Sequence, residues 1–350
     1  MLNHKPLILI TGATCSGKSS LAVKLAKAIS AEIVSIDSVQ VYKGFNIGSA
    51  KITKEEMQGI EHYLLDVLEP NSHFDVAKYL KLARKAISNI YDKDKNVIIV
   101  GGTTMYITPL IHGLATLKSS DKNLRERLEK KETSALYALL KRLDGKASKS
   151  LSANDRTRII RALEVKILSN KSIKDVQKEH SFLEKKYDCL AYVICQKREE
   201  LYNNINERTR KLIDLGLIEE TKKLLEKYDK NLAPFLSIGY KQAVQYIEQK
   251  ISKDGMIEDI AKRTRNLAKR QMTYFRNEPE KRGWDIFPKY EDNKASMILS
   301  DNSTIVGKGT LKDFLVYNYT FNELVDDIKT NMKNGIKGVR LSYISPKCLL

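Results

Sequence analysis

Four cysteines in 350 residues are too few for a disulfide scaffold. Cys15, Cys189, Cys195 and Cys348 also lack the paired CxxC spacing of a zinc site, so free thiols in a reducing cytoplasmic setting are expected. Long apolar runs are missing as well. Nowhere does the chain approach the roughly 20 apolar residues of a membrane span, and the run that begins at Leu7 stops at Thr11, too soon for a signal-peptide core. Acidic side chains are in deficit, 43 against 61 basic ones, which leaves a formal net charge of +18. That imbalance points to polyanionic partners such as nucleic acid or phosphorylated ligands, although a membrane surface fits the charge equally well. What remains is ordinary globular composition, 42% hydrophobic and 30% charged, in a chain long enough for about two domains.

From Pro6 to about Gly113 short β-branched runs alternate with helical stretches. Leu7–Ile10, Glu32–Ile36 and Val97–Val100 read as strands buried on both faces, separated by helices at 19–29 and 76–90. The pattern predicts an α/β fold with a parallel sheet flanked by helices. After Thr116 the chain turns helical and charged, with leucines at 124, 128, 136, 139, 140 and 143, until a strand-like run at Cys189–Cys195. Residues 1–117 and 191–287 are therefore expected to form the core and 118–190 an inserted helical domain, with 197–282 as helices packing back onto the sheet, among them a helix 199–228. Residues 288–350 read as an extension whose one amphipathic segment, Phe321 to Met332, has too small an apolar side to form a core alone, and which folding and activity should not require.

The first strand runs into Gly12-Ala13-Thr14-Cys15-Ser16-Gly17-Lys18-Ser19 and then a helix. Glycines there let backbone N–H groups converge on a phosphate, Lys18 reaches the outer phosphate, and the Ser19 hydroxyl can hold Mg²⁺. A di- or triphosphate site follows, without saying what carries the phosphates. The second strand ends at Asp37, an acid that can hold a metal or act as a general base. The third ends at Thr103, suited to hydrogen bonding a substrate or to capping a helix. Arg208 lies on the apolar stripe of Leu201, Ile205 and Leu212, so its guanidinium must face either a protein carboxylate or a bound anion. Lys262, Arg265, Lys269 and Arg276 make a basic helical stripe suited to a nucleic-acid backbone, with a solvated charged face as the alternative.

Taken in order, Gly12–Ser19, Asp37-Ser-Val-Gln40-Val-Tyr-Lys-Gly44, Ile47–Lys51, Glu61–Asp66, Gly101–Thr103, Asn154–Arg156, Arg161–Val165, Gly216–Glu220, Gly239–Gln242 and Thr264–Gln271 resemble the tRNA dimethylallyltransferase family over roughly 6–287. The resemblance implies a phosphate-loop parallel sheet and transfer of the dimethylallyl group from dimethylallyl diphosphate to the exocyclic amine of the adenosine immediately 3′ of the tRNA anticodon. It assigns Gly12 through Ser19 to the diphosphate, Asp37 to the proton, Thr103 to the adenine and Arg208 to the diphosphate, with Mg²⁺ as cofactor. It places Asp37, Ser38, Val39, Gln40, Thr103, Arg125, Thr157, Arg158, Ile159, Ile160 and Arg161 against the anticodon stem-loop, beside the stripe Lys262, Arg265 and Lys269. The adenosine must be flipped from its stack to reach the donor. Ala13 stands where the family has proline, and the C-terminal zinc finger of eukaryotic relatives is absent. A monomer acting without a membrane is expected. An adenylate isopentenyltransferase acting on free nucleotide is the alternative, which the helical insert and basic stripe disfavour. A phosphate-loop kinase comes third. A non-enzymatic RNA-binding protein would have no use for the loop together with Asp37.

Overall fold

The computed structural model describes residues 5–114, 121–180, 186–287, 303–306, 314–317 and 319–346. Cys348 and the expected boundary near 118 lie outside them. The chain divides into two units, Met1–Ile111 with Lys185–Leu350, and His112–Glu184.

The β-branched runs form the sheet of the first unit. Its strands are β1 (Leu7–Gly12), β2 (Ala31–Ser35), β3 (His62–Tyr63), β4 (Asn96–Val100), β5 (Cys189–Ile194), β6 (Asp285–Phe287), β7 (Ser303–Val306), β8 (Phe314–Tyr317) and β9 (Val339–Ile344). Their order is β3-β2-β4-β1-β5-β9-β8-β7, with β6 also paired to β9. Every pairing is parallel except β7 with β8. Successive strand residues point to opposite faces. Leu7, Leu9, Ile99, Ala191 and Leu341 enter one core with the helices Val76–Tyr91 and Thr104–His112. Ile8, Ile10, Ile98, Leu190 and Tyr192 enter the other, with Leu21 and Leu25 of the helix Lys18–Ala28. Both faces are covered, which is why these strands read as unbroken apolar runs rather than alternating ones.

Two expectations change. The stretch 199–228 is two helices, Arg198–Asp214 and Leu217–Leu225, because Gly216 adopts φ +98° and turns the chain between them. The C-terminal extension is not an appendage. Its helix, Phe321–Asn334, lays Leu324, Val325 and Ile328 into the core beside Lys18–Ala28, and β9 pairs with β5 over six residues. Val339, Leu341 and Tyr343 are buried in the opposite core. A protein ending at Lys289 would lose a central strand and expose both cores, so the expectation that the extension is dispensable does not stand.

The second unit packs Lys122–Glu129, Thr133–Leu143, Gly145–Ser150, Arg156–Ser169 and Ile173–His180 around Leu128, Leu136, Leu140 and Leu163. Ile159 and Ile160 are 0% and 3% exposed within that core. Their side chains are committed to packing, which corrects the expectation that they contact tRNA.

Ile328→Ala should lower unfolding stability in urea by about 2–5 kcal/mol, the usual cost of truncating a well-packed core residue. A loss under about 0.5 kcal/mol, typical of a surface site, would show that the C-terminal helix is only loosely docked.

Candidate active site

The phosphate loop leaves β1 at Gly12, whose φ is +139° and where a Cβ would stand 2.6 Å from the Ile194 carbonyl oxygen of β5. Only glycine lets the loop start so close to the neighbouring strand. Lys18 opens the following helix, and its ammonium folds back to donate to the Ala13 carbonyl. The loop is tied to the end of β4 by a side chain 257 residues further on. Gln271, only 6% exposed on the helix Lys253–Lys281, accepts the Thr14 N–H at 2.9 Å and donates through Nε2 to the Gly102 carbonyl at 2.8 Å. Thr11 Oγ1 adds a 2.7 Å bond to the Gly101 carbonyl. Sequence reasoning places Gln271 in a family motif but misses its role. The signal that could have found it is an amide on the buried stripe of Ala268 and Phe275, where an unpaired polar group would be costly.

The charges at the loop are uneven. Arg208 is half-buried and its Nη1 lies 3.5 Å from Cys15 Sγ. Among the described residues no carboxylate comes within ion-pair distance of Arg208 or Lys18. The reading of Arg208 as half of an internal salt bridge therefore finds no partner among the described residues. Burial lowers the Lys18 pKa to about 8; Cys15 and Asp37 act to raise it and Arg208 to lower it further. Asp37 Oδ1 accepts the N–H groups of Val39 at 2.7 Å and Gln40 at 3.0 Å, leaving Oδ2 free of protein hydrogen bonds among the described residues. The Thr103 hydroxyl likewise has no protein partner there, so it is not spent on capping the helix Thr104–His112. Ser19 is exposed at the second position of its helix.

The segment after Asp37 is fastened by residues to which the sequence alone assigns no role. Glu220 accepts the N–H groups of Asn46 at 3.1 Å, Ile47 at 2.9 Å and Gly48 at 3.2 Å, and the Tyr240 hydroxyl donates to it at 2.6 Å. Gln40 Nε2 donates to the carbonyls of Ser49 and Ala50, and Lys51 pairs with Asp66 at 2.5 Å. The motifs Gly216–Glu220 and Gly239–Gln242 thus act as a clamp on the loop 46–48.

The expected nucleic-acid contacts divide into two kinds. In the helical unit Arg125 and Arg161 share the fully buried Glu164, at 3.3 and 3.4 Å, and Arg125 also pairs with Glu129. Arg158 pairs with Asp155, the cap of its own helix, while remaining exposed beside Thr157. Along Lys253–Lys281, Lys262 and Lys269 are exposed. Arg265 is instead turned inward, donating to Asn206 Oδ1 at 2.7 Å and lying 5.9 Å over the Tyr202 ring. Ser38, Val39 and Gln40 are half-buried beside Asp37.

A parallel sheet whose central strand feeds such a loop defines a phosphate-loop α/β enzyme, and comparison with known proteins narrows the class. The model of the IPP transferase family matches residues 40–278. A tRNA dimethylallyltransferase of Geobacter sulfurreducens is 39% identical over 298 residues, covering 84% of this chain and 96% of its own. One from Thermoanaerobacter pseudethanolicus is 41% identical over 305 residues, 83% and 96%. The full-length tRNA isopentenylpyrophosphate transferase of Bacillus halodurans superposes with TM-score 0.58 at 33% identity, covering 78% of this chain and 88% of its own. A eukaryotic dimethylallyltransferase acting on tRNA gives TM-score 0.71 at 27% identity, over 79% and 72%. The chain belongs to the IPP transferase family.

Gln271→Ala leaves the Thr14 N–H and the Gly102 carbonyl without partners, so it should cost about 1–3 kcal/mol in chemical denaturation. Unchanged stability would mean that the two groups are satisfied in some other way.

Proposed function

We propose that the protein transfers the dimethylallyl group of dimethylallyl diphosphate to the exocyclic N6 amine of the adenosine immediately 3′ of the anticodon in tRNA, releasing diphosphate. Family membership carries the reaction class, prenyl transfer to tRNA. The observation that carries the donor is the pair Lys18 and Arg208 at the phosphate loop, with no carboxylate of the described residues within ion-pair distance of either. The adenylate alternative draws no support, since the relatives named above are all enzymes of tRNA.

In the reaction the C–O bond to the diphosphate breaks and its electron pair leaves with the diphosphate. A C–N bond forms at the adenosine amine, which gives up a proton. Lys18, Arg208 and the N–H groups from Gly12 to Ser19 hold the negative charge that grows on the leaving group. Asp37 takes the proton. With Oδ1 fixed by two backbone N–H groups, its orientation is set before the acceptor arrives, and the free Oδ2 faces the task. The unspent Thr103 hydroxyl bonds the flipped adenine.

Magnesium fits the donor set at hand. Mg²⁺ characteristically takes few protein ligands beside phosphate oxygens, and Ser19 presents an exposed hydroxyl at the start of the helix that follows the loop. The exposed Ser19 hydroxyl would be its protein ligand, and the ion would supply charge neutralisation on the diphosphate. Ser38 to Gln40, Thr157, Arg158, Lys262 and Lys269 are the contacts we assign to tRNA, while Arg125, Arg161 and Arg265 are engaged with Glu164, Glu129 and Asn206. No described helix is long and apolar enough to cross a membrane.

Labelled dimethylallyl diphosphate should mark tRNA and leave AMP unlabelled; label on AMP alone would overturn the assignment of the acceptor. Asp37→Asn should slow single-turnover transfer by about 10²–10⁴, the usual yield of a general base, with little change in tRNA affinity. Transfer at the parental rate would remove Asp37 from that role. Replacing Lys262 and Lys269 together by alanine should reduce the slope of log K against log salt for tRNA by about 2, because each phosphate that a lysine neutralises adds nearly one unit to it. An unaltered slope would assign both lysines to solvent.

A further inference from the structure

We propose that the C-terminal segment 319–346 is a working part of the donor site, and that Tyr343 is a positioning residue for the phosphate loop. The inference rests on the reading of that loop as the diphosphate site. The segment lies beyond residue 278, where the family match ends, so family membership gives it no role.

Three sets of contacts join it to the loop. The Tyr343 hydroxyl, in the buried core, donates to the Phe275 carbonyl at 2.7 Å. Phe275 stands one helical turn beyond Gln271, the side chain that holds both the Thr14 N–H and the Gly102 carbonyl. Strand register supplies the second. Gly12 pairs with Ile194 and Ile194 with Ile344, so β9 ends one strand away from the start of the loop. The Cys195 N–H donates to the Ile344 carbonyl at 2.8 Å, and at the other end of β9 the Gly338 N–H donates to Asp188 Oδ1 at 2.6 Å. Third, Leu324 and Ile328 pack into the same core as Leu21 and Leu25, whose helix receives the loop.

The segment therefore braces the helix that carries Gln271, the strand that faces Gly12 and the helix that begins at Lys18. Loop N–H groups must be held within about 0.5 Å of productive geometry to serve a bound anion, and that demand falls on supporting residues. Tyr343 acts directly on the Gln271 helix. Tyr192, whose hydroxyl donates to Asp327 at 2.7 Å, ties the segment to the opposite core.

That pairing gives the test, on the full chain. Calorimetry with inorganic diphosphate and Mg²⁺ reads the loop without requiring transfer, and steady-state kinetics reads the reaction. Tyr343→Phe keeps the ring and loses the hydrogen bond, so it should weaken diphosphate binding and raise the donor KM about three- to tenfold, the range one hydrogen bond spans. The kcat and the KM for tRNA should stay within about twofold of the parent. Tyr192→Phe should lower thermal stability to a similar extent and leave diphosphate affinity unchanged. Unaltered diphosphate affinity in Tyr343→Phe, or an equal loss in both variants, would overturn the proposal by reducing the segment to a general stabiliser. Failure of the parent to prenylate tRNA would overturn the functional reading instead, while the calorimetry still decides the role of Tyr343.

Discussion

Lys18 and Arg208 meet at one loop with no carboxylate of the described residues within ion-pair reach, and the structure around them makes sense as a frame for the anion that they require. Enclosing unpaired cations opposes folding, and the depressed pKa of Lys18 is the sign of that opposition. The fold tolerates it because the loop is held from every side: Gly12 against β5, Thr14 against Gln271, and the helix Lys18–Ala28 against a core that runs from β1 to the C-terminal helix. On the proposed reading, a diphosphate entering this frame would find charge and donors already in place, the arrangement that favours a departing group as its charge develops.

The acceptor side is built on a different principle. Asp37 and Thr103 are placed at strand ends by the sheet itself, and the free groups they present are those not consumed by local structure. The loop after Asp37 is then fixed from a distance by Glu220 and Tyr240, so that Asp37 and the backbone near it cannot shift independently. Positive charge is also divided by role. Arg125, Arg161 and Arg265 are bound to Glu164, Glu129 and Asn206, whereas Lys262 and Lys269 stand exposed. These three arginines are engaged in protein contacts, whereas the two lysines are left as flexible exposed point charges.

Much of this is legible in the sequence because it is local. Strands buried on both faces announce themselves as β-branched runs, and the loop motif occupies eight consecutive residues between a strand and a helix. The donor site's cations and the acid at the second strand end are readable for the same reason. What is not legible depends on partners far apart in the chain. Gln271 with Thr14, Glu220 with Ile47, and Tyr343 with Phe275 are pairings that no window reveals. Two expectations fail where local signals conflict. Ile159, Ile160 and Leu163 carry the spacing of a buried helix face, yet the family motif places the first two at the tRNA. In β9, Arg340 and Ser342 interrupt the apolar residues, so a central strand resembles an exposed one; Arg340 is accommodated by Asp327 at 3.6 Å.

The claim at the centre of this account is that the cations gathered at the phosphate loop exist to hold the diphosphate. Titrating dimethylallyl diphosphate into the parent and into Arg208→Gln by calorimetry tests it most directly, with tRNA binding measured alongside. Loss of a charged hydrogen-bond donor should weaken donor binding about ten- to hundredfold, with tRNA affinity unchanged. Equal donor affinity in the two proteins would contradict the account, because Arg208 would then face the loop without serving the anion.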